Sequence, residues 1–248
     1  MIRNAFFLAF AALSTTVRCA EPAALAAASP ILNPEKEGQE LAAKLRESAP
    51  AQDSEFTGVL EITSSKGSQQ FIPIVSRITV SPTNWYVTYR SNPTNTVPPQ
   101  TLTITHAPGQ KPAFRLTTGT TNVNDHVSLA QPFASSDFWL VDLGLEFFHW
   151  PKQRAIRAEM RRGQPCRVLE SSNTNVGPGA YYRVVSWIDN ESGGVIEAEA
   201  YDSTNKLLKR FALGSFKKVE GQWQLRDMRI RNVQTEQQTQ LKFDLHVK

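Results

Sequence analysis

The chain has 248 residues, a formal net charge of +4 at neutral pH and two cysteines. A chain of this length can bury a substantial core as one large domain or two small ones. The charge is too small to give the strong positive field that nucleic-acid binding usually needs. We therefore expect no nucleic-acid partner.

The first twenty residues have the three-part pattern of a secretory signal peptide. Arg3 supplies the early cation, residues 5–13 are apolar, and small or polar residues follow. The apolar run is too short to span a bilayer. We therefore predict a signal peptide at residues 1–20 and an exported protein. Anchoring through a lipid on Cys19 is an alternative, which Arg18 disfavours because lipoprotein signals have a small residue at that place.

Removal of the signal peptide leaves Cys166 as the one cysteine of the predicted mature chain. A lone cysteine cannot form an internal disulfide, so the stability of the domain must come from core burial. Arginines flank Cys166, but no histidine is near it in the sequence. We predict that its thiol packs as a small apolar group in a strand.

An alanine-rich stretch, residues 21–33, is predicted to be a flexible leader. The sequence "NPEKEGQELAAKLRESAP" then has the signals of an amphipathic helix, because Asn33 can cap the N-terminus and Pro34 suits the first turn. The apolar stripe of this helix consists of Leu41, Ala42 and Leu45. We predict that one domain, residues 34–248, begins with this helix.

Most of the remaining sequence alternates between apolar and polar residues at the period of a β-strand. In "QFIPIVSRITV" the apolar residues that share one predicted face are Ile72, Ile74, Ile78 and Val80. Short turns separate such runs, so we predict an antiparallel meander of about ten strands. The alternation slips at Arg226 and Asp227, within "WQLRDMRI", which predicts a β-bulge there.

A sheet of about ten strands must curl, because long twisted sheets seldom stay open and flat. We therefore predict a mainly β fold of the α+β type, in which a curled antiparallel sheet forms an unclosed barrel around short helices. The concave face of such a sheet can be apolar and can enclose a ligand.

One segment, "SSDFWLVDLGLEFFHWP" at residues 135–151, does not follow the strand pattern. It concentrates large apolar side chains, and Gly144 weakens any long helix. We predict a loop followed by about two helical turns, with Asp142 as a candidate cap and Pro151 as the end. The aromatic density fits plain core packing and also the wall of an apolar site, and the residues alone leave both open.

The sequence has no recognisable catalytic constellation. Its four histidines are His106, His126, His149 and His246. None of them has the spacing of a metal ligand, and nucleophile motifs and phosphate-binding glycine loops are missing from the sequence. Three acids, Asp125, Asp137 and Asp142, suit acid–base chemistry, but nothing in the sequence pairs them with a partner. We therefore predict a protein that is not an enzyme and that uses no metal or cofactor.

Two longer stretches, "SSDFWLVDL" and "WIDNESGGVIEAEAYDSTNKLLKRF", follow the predicted helix and first strands. They are similar to the elements S-x-D-[FLM]-x-x-x-D-L and W-[IV]-D…P-x-K-x-E-[FY]-Y-D-x-x-G-x-x-x-[KR]. The chain thus resembles the outer-membrane lipoprotein-sorting family of the LolA/LolB carrier superfamily over about residues 35–247. Residues 194–196 depart from the family's usual proline and lysine. Asn205 replaces a common turn glycine, which is tolerable because asparagine accepts left-handed geometry.

The resemblance implies an unclosed barrel with an apolar cavity for acyl chains. It implies a periplasmic carrier that transfers lipids or lipidated proteins toward the outer membrane, with transient contacts to membrane-bound donor and acceptor proteins, and we expect a monomer. The candidate ligand-binding residues, in the cavity or its lid, are Phe138, Trp139, Leu143, Phe147, Phe148 and Trp150. An alternative within the same superfamily is an envelope-stress sensor or protein-interaction module with no transport role.

Overall fold

The computed structural model describes residues 31–95, 97–119, 121–122, 127–177, 179–219 and 222–244. The predicted signal peptide with Cys19, the leader up to residue 30, and His126 and His246 lie outside the described residues. In the described part of the chain, the helices are α1 (Pro34–Arg46), α2 (Leu140–Gly144) and a 3-10 helix (Glu146–His149). None of the helices there has the length and apolar character needed to cross a membrane.

Fifteen strands are present in these described ranges. Those before the first α2 residue are β1 (Ser54–Thr63), β2 (Gln69–Val80), β3 (Trp85–Ser91), β4 (Gln100–His106), β5 (Ala113–Thr118) and β6 (Thr121–Asn122). Those after the 3-10 helix are β7 (Lys152–Arg161), β8 (Gln164–Ser172), β9 (Arg183–Asp189), β10 (Val195–Tyr201), β11 (Leu207–Leu213), β12 (Phe216–Val219), β13 (Gln222–Leu225), β14 (Asp227–Asn232) and β15 (Gln238–Phe243).

α1 begins at the predicted place. The Asn33 side chain accepts a hydrogen bond from Lys36 N at 3.0 Å, and Pro34 occupies the first turn. Ala42 and Leu45, which belong to the predicted apolar stripe, are buried. The amphipathic helix is therefore confirmed.

Thirteen strands form one antiparallel sheet in the order β6-β5-β4-β3-β2-β1-β15-β14-β11-β10-β9-β8-β7. Its edges are β6 and β7, which do not pair with each other in the described residues. The mainly β class and the unclosed antiparallel barrel with short helices are confirmed, and the sheet contains more strands than the predicted ten or so. Ile72, Ile74 and Ile78 are buried as predicted, and Val80 is partly buried.

β12 and β13 form a separate two-stranded ribbon. β13 ends at Leu225 and β14 begins at Asp227, so the predicted bulge is instead a break where the chain passes from the ribbon to the main sheet. The Asp227 carboxylate accepts a hydrogen bond from Ser215 N at 3.1 Å, and Gly214 N donates to Asp227 O at 2.8 Å. These bonds join the two ends of the ribbon where it leaves the sheet.

The apolar core of the sheet consists of two main clusters. The first cluster includes Leu60, Ile72 and Ile104, from the strands of the N-terminal half, together with residues of β14 and β15. The second cluster includes Leu45 of α1 and Leu169 and Val184 of the C-terminal half. The segment between β6 and β7 contributes side chains to both clusters, so it lies between the two halves of the curled sheet.

Cys166 lies in β8 and points away from the second cluster. It packs against Val168, Val185 and Trp187 in a small third cluster. The thiol is 1% exposed, and burial raises its pKa to about 11. The prediction that this cysteine packs as a small apolar residue in a strand is confirmed.

Candidate ligand-binding interior

Residues 129–151 form the last part of the connection from β6 to β7 and contribute side chains to both main clusters; we call them the plug. The first half of the plug folds back on itself, since Phe133 N donates to Phe138 O at 2.8 Å and Val141 N donates to Leu129 O at 3.1 Å. α2 and the 3-10 helix follow, separated by Leu145, whose φ of 48° is left-handed. The plug is thus a loop followed by two short helical turns, as predicted.

Asp142 caps the start of α2 with its side chain, although the residue itself lies within the first turn of the helix. The residue that precedes the helix is Trp139, and Asp142 occupies the third helical position. Its carboxylate reaches back and accepts a hydrogen bond from Trp139 N at 2.8 Å. The predicted capping role is therefore present, but it belongs to an interior position of the turn.

The predicted ligand-binding residues divide between the two main clusters. Phe138 and Leu143 pack into the first cluster, where they are 2% and 5% exposed. The buried residues that pack into the second cluster are Phe147, Phe148 and Trp150. Trp139 is partly buried against the second cluster. The structure thus places all six in the interior, and their contact with a ligand stays a prediction.

Burial of the plug side chains holds the plug in the interior. A fully buried large apolar side chain contributes about 1.5–3 kcal/mol to this burial. Each buried methylene of an acyl chain contributes about 0.8 kcal/mol, so a long acyl chain can supply a comparable total. The two contributions are thus of comparable size.

One lysine lies inside this apolar interior. Lys209, on β11, is only 2% exposed. Its Nζ donates to Asp137 O at 2.5 Å, lies 3.7 Å from Asp142 Oδ2 and lies 3.6 Å from the centre of the Trp139 ring. All three of these partners belong to the plug.

Two hydroxyl groups bind the carboxylates of the plug from the surrounding protein. The Tyr181 hydroxyl, just before β9, donates to Asp142 Oδ2 at 3.1 Å. The Thr239 hydroxyl, on β15, donates to Asp137 Oδ2 at 2.9 Å. We call Lys209, Tyr181 and Thr239 the wall triad. One cation and two hydroxyls of the wall triad thus hold two carboxylates of the plug.

Burial shifts the pKa values of these groups. It lowers the pKa of Lys209 to about 8, against the opposing effect of the nearby carboxylates. Burial raises the pKa of Asp137 and of Asp142, and the charge of Lys209 opposes both shifts. The pKa of Tyr181 is well above its ordinary value, first through burial and then through Asp142, so the phenol remains a hydrogen-bond donor.

The sequence reasoning did not identify the wall triad. Asp142 was predicted as a helix cap, and both Asp137 and Asp142 were considered for acid–base chemistry, but neither was predicted to bind a buried lysine or a hydroxyl group. A signal for Lys209 does exist, because it alternates along β11 with Phe211 and Leu213, which both pack into the core. A lysine at an inward strand position needs a buried partner.

A second polar group lies near the end of the plug. His106 of β4 is 4% exposed, and its ring stacks on Trp85 with centroids 5.1 Å apart. Burial, with a smaller effect from the charge of nearby His149, lowers the pKa of His106 to about 4. Burial likewise lowers the pKa of His149 to about 4, with smaller effects from nearby cations. Within the described ranges, no group of three or more His, Cys, Asp or Glu side chains could hold a metal ion.

α1 covers the last part of the plug. The Arg46 guanidinium donates to Phe148 O at 2.7 Å. Near the other end of the helix, a Cβ at Gly38 would lie 2.5 Å from the Arg154 Cα of β7. Because only a glycine permits this approach, α1 lies directly against the edge strand β7.

The fold is similar to that of three solved structures. A DUF1329 family protein from Desulfovibrio piger is similar with a TM-score of 0.69 and 18% identity, over 86% of this chain and 92% of that chain. A putative outer membrane lipoprotein-sorting protein domain from Vibrio parahaemolyticus has a TM-score of 0.68 and 19% identity, over 85% and 92%. A LolA superfamily protein from Nitrosomonas europaea has a TM-score of 0.61 and 13% identity, over 86% and 92%.

A family model with the description "Uncharacterized protein" matches residues 102–246, more than half of the chain, and the chain belongs to this family. No curated protein matches the chain. The three structures confirm the predicted resemblance to the outer-membrane lipoprotein-sorting family at the level of the fold.

Proposed function

We propose that this protein is an exported, periplasmic carrier that binds the acyl chains of lipids or lipidated proteins and transfers them toward the outer membrane. It acts as a monomeric binding protein, without catalysis, and makes transient contacts with membrane-bound donor and acceptor proteins. The fold of the LolA superfamily supports the class of cargo. The predicted signal peptide at residues 1–20 supports export.

The observation that carries this proposal is the plug itself. Its apolar side chains occupy the interior of an unclosed sheet, yet the plug is a connection made of a loop and two helices of five and four residues. Such short helices have little stability of their own and depend on packing. Acyl chains can therefore compete with the plug for the same apolar surface.

Competition of this kind suits both the uptake and the release of a ligand. When no ligand is bound, the plug keeps the apolar interior away from water. When an acyl chain enters, burial of the chain offsets the loss of the plug contacts. Because the plug can return, the ligand does not become trapped, and handover to an acceptor remains possible.

Acyl binding is tested with protein purified from cell envelopes. Native mass spectrometry is expected to show bound acyl species, and fluorescent fatty-acyl probes are expected to bind. Phe147 acts in this proposal as part of the lid and not as a ligand contact. Phe147→Ala weakens the packing of the plug in the interior, so the probes should bind this variant more tightly than they bind wild type. Phe71→Ala is the matched control, because Phe71 is 53% exposed on β2.

Absence of acyl species, together with failure of the probes to bind wild type, would overturn the carrier proposal. A stable protein partner in that case would instead support the interaction-module alternative.

A further inference from the structure

We propose that the ligand of this interior is an amphiphile with an anionic polar end, a carboxylate or a phosphate, which the wall triad binds in place of the plug carboxylates. This inference rests on the proposed function, and it names the chemical class of the ligand. The acyl chain would occupy the apolar clusters, and the anion would lie against Lys209, Tyr181 and Thr239.

The polar partners of Lys209 belong to the plug. Its Nζ contacts Asp137 O, Asp142 Oδ2 and the ring of Trp139. Lys209 itself is fixed on β11, a central strand of the main sheet. Displacement of the plug therefore removes its neutralising groups and leaves its ammonium group on the wall.

The other two members of the wall triad are neutral. Tyr181 also approaches Lys209, with its ring centre 5.5 Å from Nζ, but it is neutral. Thr239 is neutral as well and completely buried on β15. A lone ammonium group in an apolar interior is costly, so the wall triad selects a ligand that brings a negative charge.

The hydrogen bonds of the two hydroxyl groups run from the wall to the plug. The hydroxyl groups of Tyr181 and Thr239 already donate to carboxylate oxygens, at 3.1 Å and 2.9 Å. With Lys209 they provide three donor groups that an incoming anion can use. Asp137 and Asp142 thus occupy an anion site of the wall, and they stand in for the polar end of the ligand.

A neutral amphiphile gains less from the same interior. Its chain can replace the apolar contacts of the plug, but its polar end cannot neutralise Lys209. Hydrogen bonds between ionised partners are stronger than those between neutral partners, by an amount that corresponds to about tenfold to a hundredfold in affinity. The interior should therefore discriminate between amphiphiles that have the same chain and differ only in charge.

Two matched pairs of ligands test this inference on the full-length mature protein. Oleate is compared with oleyl alcohol, and monooleoyl phosphatidate is compared with monooleoylglycerol. We expect the wild type to bind the anion of at least one pair about tenfold to a hundredfold more tightly, and the pair that shows the preference identifies carboxylate or phosphate. Isothermal titration at fixed ionic strength measures all four affinities.

Variants assign the preference to the wall triad. Lys209→Met removes the charge at similar volume and is expected to bring the two members of a pair within about threefold, whereas Lys209→Arg retains the preference. Lys206→Met is the control, because Lys206 is exposed in the turn before β11. If Lys209→Met does not fold, Tyr181→Phe takes its place. Tyr181→Phe removes one hydrogen-bond donor of the wall triad, so the ratio of affinities for the charged and neutral ligands should be smaller than in wild type.

The outcomes separate this inference from the proposed function. Equal binding of charged and neutral members by wild type overturns the anion site but leaves the acyl carrier intact. A preference that survives in Lys209→Met also overturns the assignment to the wall triad. Failure of all four ligands to bind overturns the carrier and the anion site together.

Discussion

Lys209 occupies a position on β11 where the strand pattern favours an apolar residue, and within the described residues the carboxylates near its ammonium group are those of Asp137 and Asp142 in the plug. Its Nζ lies 3.7 Å from Asp142 Oδ2 in a site where Lys209 is 2% exposed. A buried ion pair contributes little net stability compared with apolar residues of similar size, but removal of one partner is costly. The ion pair of Lys209 and Asp142 therefore favours the observed position of the plug over positions in which the two charges are apart.

A double-mutant cycle measures this coupling. Asp142→Ala leaves Lys209 without its carboxylate and should lower the free energy of unfolding by about 3–5 kcal/mol. Addition of Lys209→Met should recover part of that loss, because the uncompensated charge is gone. Urea denaturation followed by circular dichroism gives the values. Asp244→Ala is the control, because Asp244 is exposed directly after β15 and accepts only a surface hydrogen bond from Thr57, so its loss should cost less than about 1 kcal/mol. A loss at Asp142 no larger than the control would contradict the coupling.

His106 and His149 predict a specific dependence of stability on pH. Both have pKa values lowered from 6.5 to about 4 by burial, so the folded state favours their neutral forms. Their contribution to stability is complete above pH 6.5 and is lost as the pH falls toward 4, by up to about 1.4 kcal/mol per pH unit for each histidine.

The histidine contribution is isolated by comparison with a double variant. The buried carboxyls of Asp137, Asp142 and Glu146 have raised pKa values, so they act in the opposite direction as the pH falls. The effect of the carboxyls cancels when the unfolding free energy of wild type is compared with that of the double variant His106→Gln, His149→Gln, because both proteins contain the same carboxyls. Wild type should lose stability relative to the variant between pH 6.5 and pH 4. Parallel curves for the two proteins would show that these histidines do not contribute in this way.

At the scale of the elements, α1 and the plug depend on each other. α1 closes over the plug through the bond from Arg46 to Phe148 O, and it reaches β7 through the close approach at Gly38. The helix propensity of glycine is poor by about 1 kcal/mol, so its presence inside α1 indicates a packing requirement. The close contact with the Arg154 backbone is the reason, because it leaves no space for a Cβ at position 38.

Gly38→Ala tests the packing of α1. Helix propensity alone would make this variant more stable by about 1 kcal/mol. The new methyl group would lie 2.5 Å from Arg154 Cα, so we expect a loss of about 1–3 kcal/mol instead. Denaturation in urea measures the sign of the change. Glu40→Ala, at an exposed position of the same helix, is the control and should change stability by less than about 0.5 kcal/mol. Stabilisation by Gly38→Ala would show that α1 does not lie so close to β7.

The local features of the elements could be predicted from the sequence, whereas their partners could not. Asn33 and Pro34 predicted the start of α1, and Gly144 and Pro151 predicted that the helices of the plug are short. These signals act within a few residues of the chain. The contact of Lys209 with Asp137, by contrast, joins positions 72 residues apart, and only the curvature of the sheet brings them together. A pattern of period two can show that a lysine points inward, but it cannot name the carboxylate that meets it.

At the scale of the whole molecule, two consecutive meanders are joined by later strands. β1 to β6 pair in sequence, and so do β7 to β11, while β14 and β15 connect β11 to β1. The sequence predicted the meanders from their short turns. It did not predict the ribbon of β12 and β13. The pattern around Arg226 indicated a bulge within one strand, whereas β13 ends at Leu225 and a new strand, β14, begins at Asp227. The plug follows the first meander and precedes the second, so it can close the space between them.

The central claim, that acyl chains enter the interior as the plug withdraws, is tested most directly by hydrogen exchange with and without saturating oleate. The amides of Ala134 and Asp137 are the reporters, because they donate to Gln100 Oε1 at 2.7 Å and to Thr239 Oγ1 at 2.9 Å, outside the plug. We expect both amides to exchange at least about tenfold faster when oleate is bound, while the amides of Leu60 and Ile72 keep their rates. Unchanged or slower exchange at Ala134 and Asp137, with oleate bound at one equivalent or more, would show that the plug stays in place and that the ligand binds elsewhere.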